Sequence, residues 1–424
     1  MKSGHSWNRR EFIAKPAAAW AASQLMGGAS GLFGQSTGAD VALTKEASSK
    51  PIYRTLGKTG IILPIVSMGV MNADIPGLVR RSYEMGIRHF DTAAGYQQGR
   101  NEAMVGSVIQ EMGVRDKVII STKVGGLGRG RGRGNATEMR TYSPAEVEAH
   151  FRETFEGSLK RLQTTHVDIL YNHGADSEAE INSEGTLAAM TALKKEGKLR
   201  WLGVSSHQPE MTLKLAMKLG VYDVVLIPFN FTMANDLGLL SAINEAAKHG
   251  IGVVAMKTQA GGATRPDPKL GRPLTTASQT ALLKWVLRHE AITTAIPGYT
   301  TYEQLEQNFS VAPDLAYNAE EERFLTQKHV VADAQFCRQC GQCLADCSHG
   351  VNIPLLMRSH MYAVQYSNYS LAVDTMRAIA NGEGLAACKE CENCHAICRN
   401  SVNIAMKIKS LKEIASVGIL NAQV

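Results

Sequence analysis

No cysteine occurs in the first 336 residues of this 424-residue chain; all eight lie beyond them. A disulfide framework is thereby excluded for most of the molecule. Aromatic residues are scarce, at 6%. The basic excess is small, 45 Lys and Arg against 39 Asp and Glu for a net charge of +6, and Lys2, Arg9, Arg10 and Lys15 supply four of those positive charges. The remainder is close to neutral, so no nucleic-acid partner is indicated. Most apolar stretches are broken by charges short of the ~20 residues that a spanning helix needs, and no membrane span is expected in the mature chain. With 44% apolar and 20% charged residues, a disordered, collagen-like or coiled-coil chain is also excluded.

The start has its own character. Arg9-Arg10-Glu11-Phe12-Ile13-Ala14-Lys15 is followed by a charge-free run, Pro16 to Ala39, dominated by Ala, Gly and Ser. A charged opening, a mildly apolar segment and small residues suit a cleaved export signal. The paired arginines followed by Phe-Ile-x-Lys resemble a twin-arginine signal, a route that carries proteins already folded and loaded with cofactor. Residues 1–45 are therefore expected to be signal and linker, and the protein periplasmic or otherwise extracytoplasmic.

From 50 to 312, short β-rich runs alternate with longer amphipathic segments. The runs are 65–70, 88–92, 118–124, 167–173, 201–205, 224–230, 252–257 and 293–297. Between them lie helical patterns such as 144–162, with Val147, Phe151, Phe155, Leu159 and Leu162 three or four apart. This alternation predicts an α/β fold with a parallel sheet, and eight units in ~250 residues predict a closed (β/α)8 TIM barrel. An open doubly wound sheet is the alternative. It usually brings Gly-x-Gly-x-x-Gly after its first strand, and no such turn follows residues 65–70.

In a barrel, chemistry gathers at the C-terminal ends of the strands. Those ends supply Asp91 with Tyr96 in the following loop, then Lys123, then His173. A Tyr is a poor acid–base group at its ordinary pKa near 10; a Lys cation beside it lowers that value, and a carboxylate holds the Lys in place. His173 would orient a carbonyl oxygen. The segments Phe90-Asp91-Thr92-Ala93-x-x-Tyr96, Ser121-Thr122-Lys123 and Val167-Asp168-Ile169-Leu170-Tyr171-Asn172-His173 resemble the signature of the aldo/keto reductases over roughly 52–312. The resemblance implies Tyr96 as general acid, Lys123 and Asp91 as its tuning pair, His173 as the substrate-orienting group, and NADP(H) or NAD(H) as cofactor. Similar cofactor stretches place Ser205 and Ser206 on the carboxamide, with Asn230, Lys257, Gly298, Gln304 and Asn308 as further contacts. The chain departs from the family in having Leu226 before Phe229-Asn230, where a Gln is usual. It also reads Ala255-Met256-Lys257-Thr258 where a stacking Tyr is usual. The Gly- and Arg-rich loop with Arg129, Arg131 and Arg133 is expected at the mouth of the site.

Residues 313–335 read as a linker helix. In 336–424, Cys337-x-x-Cys340-x-x-Cys343-x-x-x-Cys347 is repeated as Cys388-x-x-Cys391-x-x-Cys394-x-x-x-Cys398, each run trailed by Val-Asn-Ile. This is the bacterial ferredoxin spacing, three close thiolates and one distant, and it points to two [4Fe–4S] clusters; zinc and disulfides are the alternatives. The segment resembles an α-helical ferredoxin-like domain. That likeness implies one cluster on Cys337, Cys340, Cys343 and Cys398, and the other on Cys388, Cys391, Cys394 and Cys347.

The expected activity is hydride transfer between a nicotinamide and a small carbonyl or alcohol, with the clusters as an electron conduit to a redox partner protein. The alternatives are an electron-transfer or docking protein whose barrel does not turn over nicotinamide, and clusters that are purely structural.

Overall fold

A computed structural model describes residues 50–127, 142–259, 276–326, 337–366, 368–377, 379, 381–388 and 394–416. The export signal, Arg129, Arg131, Arg133, Cys391 and residues 327–335 of the expected linker helix lie outside the described residues.

The described chain opens with an antiparallel hairpin, β1 (Tyr53–Thr55) and β2 (Ile62–Pro64). Eight parallel strands follow: β3 (Met68–Gly69), β4 (His89–Asp91), β5 (Ile119–Gly125), β6 (Val167–His173), β7 (Leu199–Ser205), β8 (Val224–Pro228), β9 (Gly252–Met256) and β10 (Ile292–Ala295). Each bonds to the next in chain order. Parallel bridges Val66–Ala295 and Gly69–Gly298 join the first edge to the last and close the barrel. The eight predicted strands are all present, and the open sheet is set aside.

The strands read as nearly unbroken apolar runs because both faces are covered. Outside them lie α1 (Pro76–Met85), α2 (Arg100–Met112), α3 (Pro144–Leu162), α4 (Glu178–Ile181), α5 (Glu184–Lys195), α6 (Pro209–Leu219), α7 (Leu237–Lys248), α8 (Thr276–Leu287), α9 (Tyr302–Phe309) and α10 (Ala319–Leu325). In α3, Ser143 and Glu146 form a reciprocal capping box, and Phe151, Phe155, Leu159 and Leu162 are buried, as their spacing predicts.

The hairpin stoppers the N-terminal end of the barrel. Leu56, Ile61 and Leu63 pack with Ile169, Tyr171, Val224, Leu226 and Val254 in the interior. Only Gly fits position 57: its φ is +51°, and a Cβ there would stand 2.3 Å from the Gly250 carbonyl oxygen.

Beyond the barrel, α11 (Ile353–His360) runs through a π-helical turn (Met361–Gln365) towards α12 (Tyr369–Arg377), and α13 (Ile404–Ser416) follows. Leu356, Met357, Ala372, Met376 and Leu411 are buried here, in one apolar cluster with barrel residues. The segment sits on the barrel mouth: α12 packs on the turn Tyr96–Gly99, and Arg338 donates to the Thr232 carbonyl at 2.8 Å.

Candidate active site

Parallel strands deliver their last residues to one end of the barrel. Asp91 closes β4, Lys123 lies near the end of β5, His173 closes β6 and Ser205 closes β7. The Lys123 ammonium is bonded to Asp91 Oδ2, donates to the Thr92 carbonyl at 2.6 Å and stands 3.4 Å from the Tyr96 hydroxyl. The His173 ring meets the Tyr96 ring edge-on, centroids 5.8 Å apart at 83°. All four predicted residues line one cavity of about 200 Å³.

The surroundings hold this group in place. Asp91 Oδ1 accepts from Ser121 Oγ at 2.6 Å, and His89 Nε2 lies 2.9 Å from the same hydroxyl. Ser121 has one proton and gives it to Asp91, so His89 donates from Nε2. Burial pushes the His89 pKa down to about 4, and its Nδ1 is left without a partner. On the outer side, Thr92 donates to Asn101 at 2.6 Å and Thr122 to Glu102 at 2.5 Å. Arg161 in turn pairs with Glu102 at 2.7 Å. Below Lys123, the buried Tyr171 ring fills the barrel interior beside Gly203, where a Cβ would come within 2.3 Å of it.

The sequence predicts a Tyr96 pKa lowered by Lys123, and the structure differs. Burial, and then the Asp91 carboxylate, push the phenol well above its ordinary value, opposed by the Arg358 charge. The reason is that the Lys123 charge is engaged by Asp91; burial lowers the Lys123 pKa while Asp91 opposes that.

The expected cofactor contacts divide. Ser205, Lys257 and Gly298 line the cavity. Burial, with the Arg358 charge beside it, pushes the Lys257 pKa down to about 7, and its φ of +55° puts it in the left-handed region. Ser206, Asn230, Gln304 and Asn308 are not among the lining residues, because other groups take up their polar atoms. Ser206 donates to Asp176 at 3.1 Å, and that carboxylate also holds the backbone and ring of His207. Asn230 caps the turn at Thr232 and donates to the Lys257 carbonyl at 3.1 Å, bracing that residue's backbone. Gln304 accepts from Thr300 N, and Asn308 from Gln259.

Several lining residues escape the sequence reading: Asn72, Thr258 and, from beyond the barrel, Arg358, Tyr362 and Tyr366. Asn72 Oδ1, Thr258 Oγ1 and Arg358 Nε are buried with no hydrogen-bond partner, so three polar atoms of one cavity are left to a ligand.

A model of the aldo/keto reductase family matches residues 71–281, the part of the chain that holds this tetrad. The barrel belongs to the aldo/keto reductase family. An L-glyceraldehyde 3-phosphate reductase of Escherichia coli O157:H7 is 27% identical over 324 residues, spanning 63% of this chain and 90% of that protein. The L-galactose dehydrogenase of Arabidopsis thaliana is 27% identical over 296 residues, 62% of this chain and 88% of that one. An aldo-keto reductase from Bacillus halodurans has the same fold, with a TM-score of 0.52 at 24% identity over 65% of this chain and 95% of its own. The chain is an oxidoreductase of this family.

The described cysteines form two groups. Burial and the thiols of Cys337, Cys398 and Cys340 push the Cys343 thiol up to about 11. Asn400, two residues after Cys398, reaches Cys340 Sγ at 3.8 Å. Cys347, Cys388 and Cys394 instead line a separate cavity of about 490 Å³. The fourth Cys of each run thus lies with described cysteines of the other run. Gln339 donates to Cys337 Sγ at 3.3 Å and accepts from Gln208 of the barrel at 3.5 Å. Among the described residues no cysteine is in a disulfide, and no set of three or more His, Cys, Asp or Glu closes tightly enough on a single ion.

Proposed function

We propose that this chain transfers hydride between NADP(H) or NAD(H) and a small carbonyl or alcohol, and that it does so after export by the twin-arginine route. The observation that carries the chemistry is the buried Lys123 ammonium, shared between Asp91 and the Tyr96 hydroxyl at two adjacent strand ends. When bound, the nicotinamide supplies or accepts the hydride. Tyr96, protonated across the working pH range, gives its proton to the carbonyl oxygen as negative charge develops there, and takes it back in the reverse direction. Lys123 holds a positive charge beside that oxygen, Asp91 fixes the Lys, and His173 orients the substrate oxygen. Ser205, Lys257, Gly298, Asn72 and Thr258 offer the polar surface for the cofactor, and the orphaned Asn72 and Thr258 atoms support that fit. The relatives named as reductases and dehydrogenases support the reaction class.

Two [4Fe–4S] clusters suit the cysteine groups. A cubane sits between four sulfurs and not at a point common to them, so its cradle is wider than a single-ion site. Cys337, Cys340, Cys343 and Cys398 would hold one, and Cys347, Cys388, Cys391 and Cys394 the other. Bound clusters carry electrons singly, and the first group lies beside barrel residues Gln208 and Thr232, which favours a conduit to a redox partner over a purely structural role.

Anaerobically purified mature protein should bind NADPH or NADH, seen as nicotinamide fluorescence, and oxidise it with simple aldehydes. Reduced nicotinamide, or an alcohol substrate, added to the oxidised protein should bleach the iron–sulfur absorbance on the timescale of turnover. Intact clusters with no nicotinamide binding would leave an electron-transfer protein; clusters that stay oxidised through many turnovers would leave structural staples.

A further inference from the structure

Arg358 reaches the active-site cavity from α11, outside the barrel, and lines it together with Tyr96, Lys123 and His173. Its Nε is buried without a partner, and the guanidinium makes no hydrogen bond or ion pair among the described residues. Guanidinium presents five donors and cannot shed its charge, so a half-buried one with an orphaned Nε favours an anionic partner. Cys337 of the first cysteine group feels the Arg358 charge from outside the cavity lining, and the nearby carboxylates are already engaged. Asp91, the one carboxylate of the lining, is bonded to Lys123, and Asp176 is held by Ser206 and His207. Lys257, like Lys123, adds a basic group to the same lining. Around Arg358 the wall is apolar and aromatic: Tyr362, Tyr366, Leu371 and Met71. Tyr362 is buried, its hydroxyl set 3.6 Å from the Met71 sulfur. The cavity therefore offers a reaction centre, an apolar wall and a planar cationic fork.

We propose that Arg358 anchors an anionic group, carboxylate or phosphate, carried by the substrate at a distance from its reactive carbonyl. The inference rests on the hydride-transfer reading and narrows it to acidic aldehydes, ketones or the matching alcohols. Guanidinium suits both anions because each accepts two parallel N–H bonds from its fork. The anchor belongs to the segment between the two cysteine runs, so substrate choice is written outside the barrel.

The test is a matched pair, 4-formylbenzoate and 4-formylbenzamide, which share the reacting aldehyde and differ in charge. The native enzyme should favour the benzoate in kcat/KM. Arg358→Gln should lower that value for the benzoate by roughly 10- to 100-fold, the scale of a hydrogen bond to a charged group, with a much smaller fall for the amide. Arg358→Lys should recover part of the preference. Glyceraldehyde 3-phosphate against glyceraldehyde tells a phosphate preference from a carboxylate one. An equal fall for both members of a pair would overturn the proposal. So would a raised KM for the nicotinamide with the charge preference intact, since Arg358 would then hold the cofactor. Calorimetric binding of terephthalate separates the two layers of the argument. Arg358-dependent binding in a protein that reduces no aldehyde would keep the anion site and discard the reaction; turnover without it would do the reverse.

Discussion

Tyr96 and Arg358 face one cavity from two different parts of the chain, the first from the loop after β4 and the second from α11. The Arg358 charge is felt at the Tyr96 phenol, opposing the upward push of burial and Asp91. Proton donor and roof cation thus belong to one electrostatic unit.

Replacing Tyr96 by Phe removes the transferable proton and keeps the ring that packs against His173. Turnover should fall by roughly 10²–10⁴-fold, the usual contribution of a positioned acid, while nicotinamide affinity holds. Steady-state rates beside fluorescence titration check both; near-native turnover would remove Tyr96 from its role.

His89 makes stability fall with acid. Its folded pKa of about 4 lies below the ordinary ~6.5, so between those values the unfolded chain binds the extra proton. Stability is whole above pH 6.5 and is lost as pH falls towards 4, by about 3 kcal/mol for a shift of this size. Denaturant titrations at pH 7, 6 and 5 should show the slope, and His89→Gln should flatten its share. An identical slope in the variant would place the acid sensitivity elsewhere.

Gly203 gives the Tyr171 ring its place under Lys123. Gly203→Ala sets a methyl 2.3 Å from a buried ring and should cost about 1–3 kcal/mol, the usual range for overpacking. Adding Tyr171→Leu should return part of it in a double-mutant cycle. Purely additive losses would mean the two residues do not collide.

The proposed clusters make crossed and linear wiring distinguishable by mutation. Cys398→Ala should remove the cluster on Cys337, Cys340 and Cys343, and Cys347→Ala the other, each leaving about half the iron. Paramagnetic spectra of the two reduced variants should be complementary. Loss of the Cys388 centre in the Cys398 variant would establish the linear pattern.

The paired arginines of the signal lie outside the described residues, so their test is cellular. Arg9→Lys with Arg10→Lys should hold the protein in the cytoplasm, since the pair is read by a receptor. Fractionation showing unchanged export would dismiss the signal.

What the sequence revealed follows from where its constraints are local. Strands buried on both faces announce themselves as apolar runs, and Asp91, Lys123 and His173 stand at their ends, where a barrel puts its chemistry. Other roles depend on long-range packing. Leu56 and Leu63 read as ordinary turn and strand residues until the hairpin is seen inside the barrel. Asn101 and Glu102 sit in the first turn of α2, where polar residues are usually solvated, yet both are fully buried. Ser206 and Asn230 have the right chemistry for a cofactor, but Asp176 and the Thr232 turn take their polar atoms first. Arg358 reads as a basic residue of a last helical turn, suited to the helix dipole, and only the packing of α11 on the mouth brings it to Tyr96.

Because Leu56 and Leu63 stopper one end of the barrel, a molecule bound at Tyr96 comes and goes past Arg358, Tyr362 and Leu371. Its residence time is then governed by a part of the polypeptide synthesised after the barrel. While only the barrel has emerged, the strand ends are still uncovered; the ceiling arrives last. A dinucleotide seated in that interval would be enclosed by later folding, and its release would then wait on α11 and α12. Protein that moves to a compartment poor in free dinucleotide would in that case carry its supply with it.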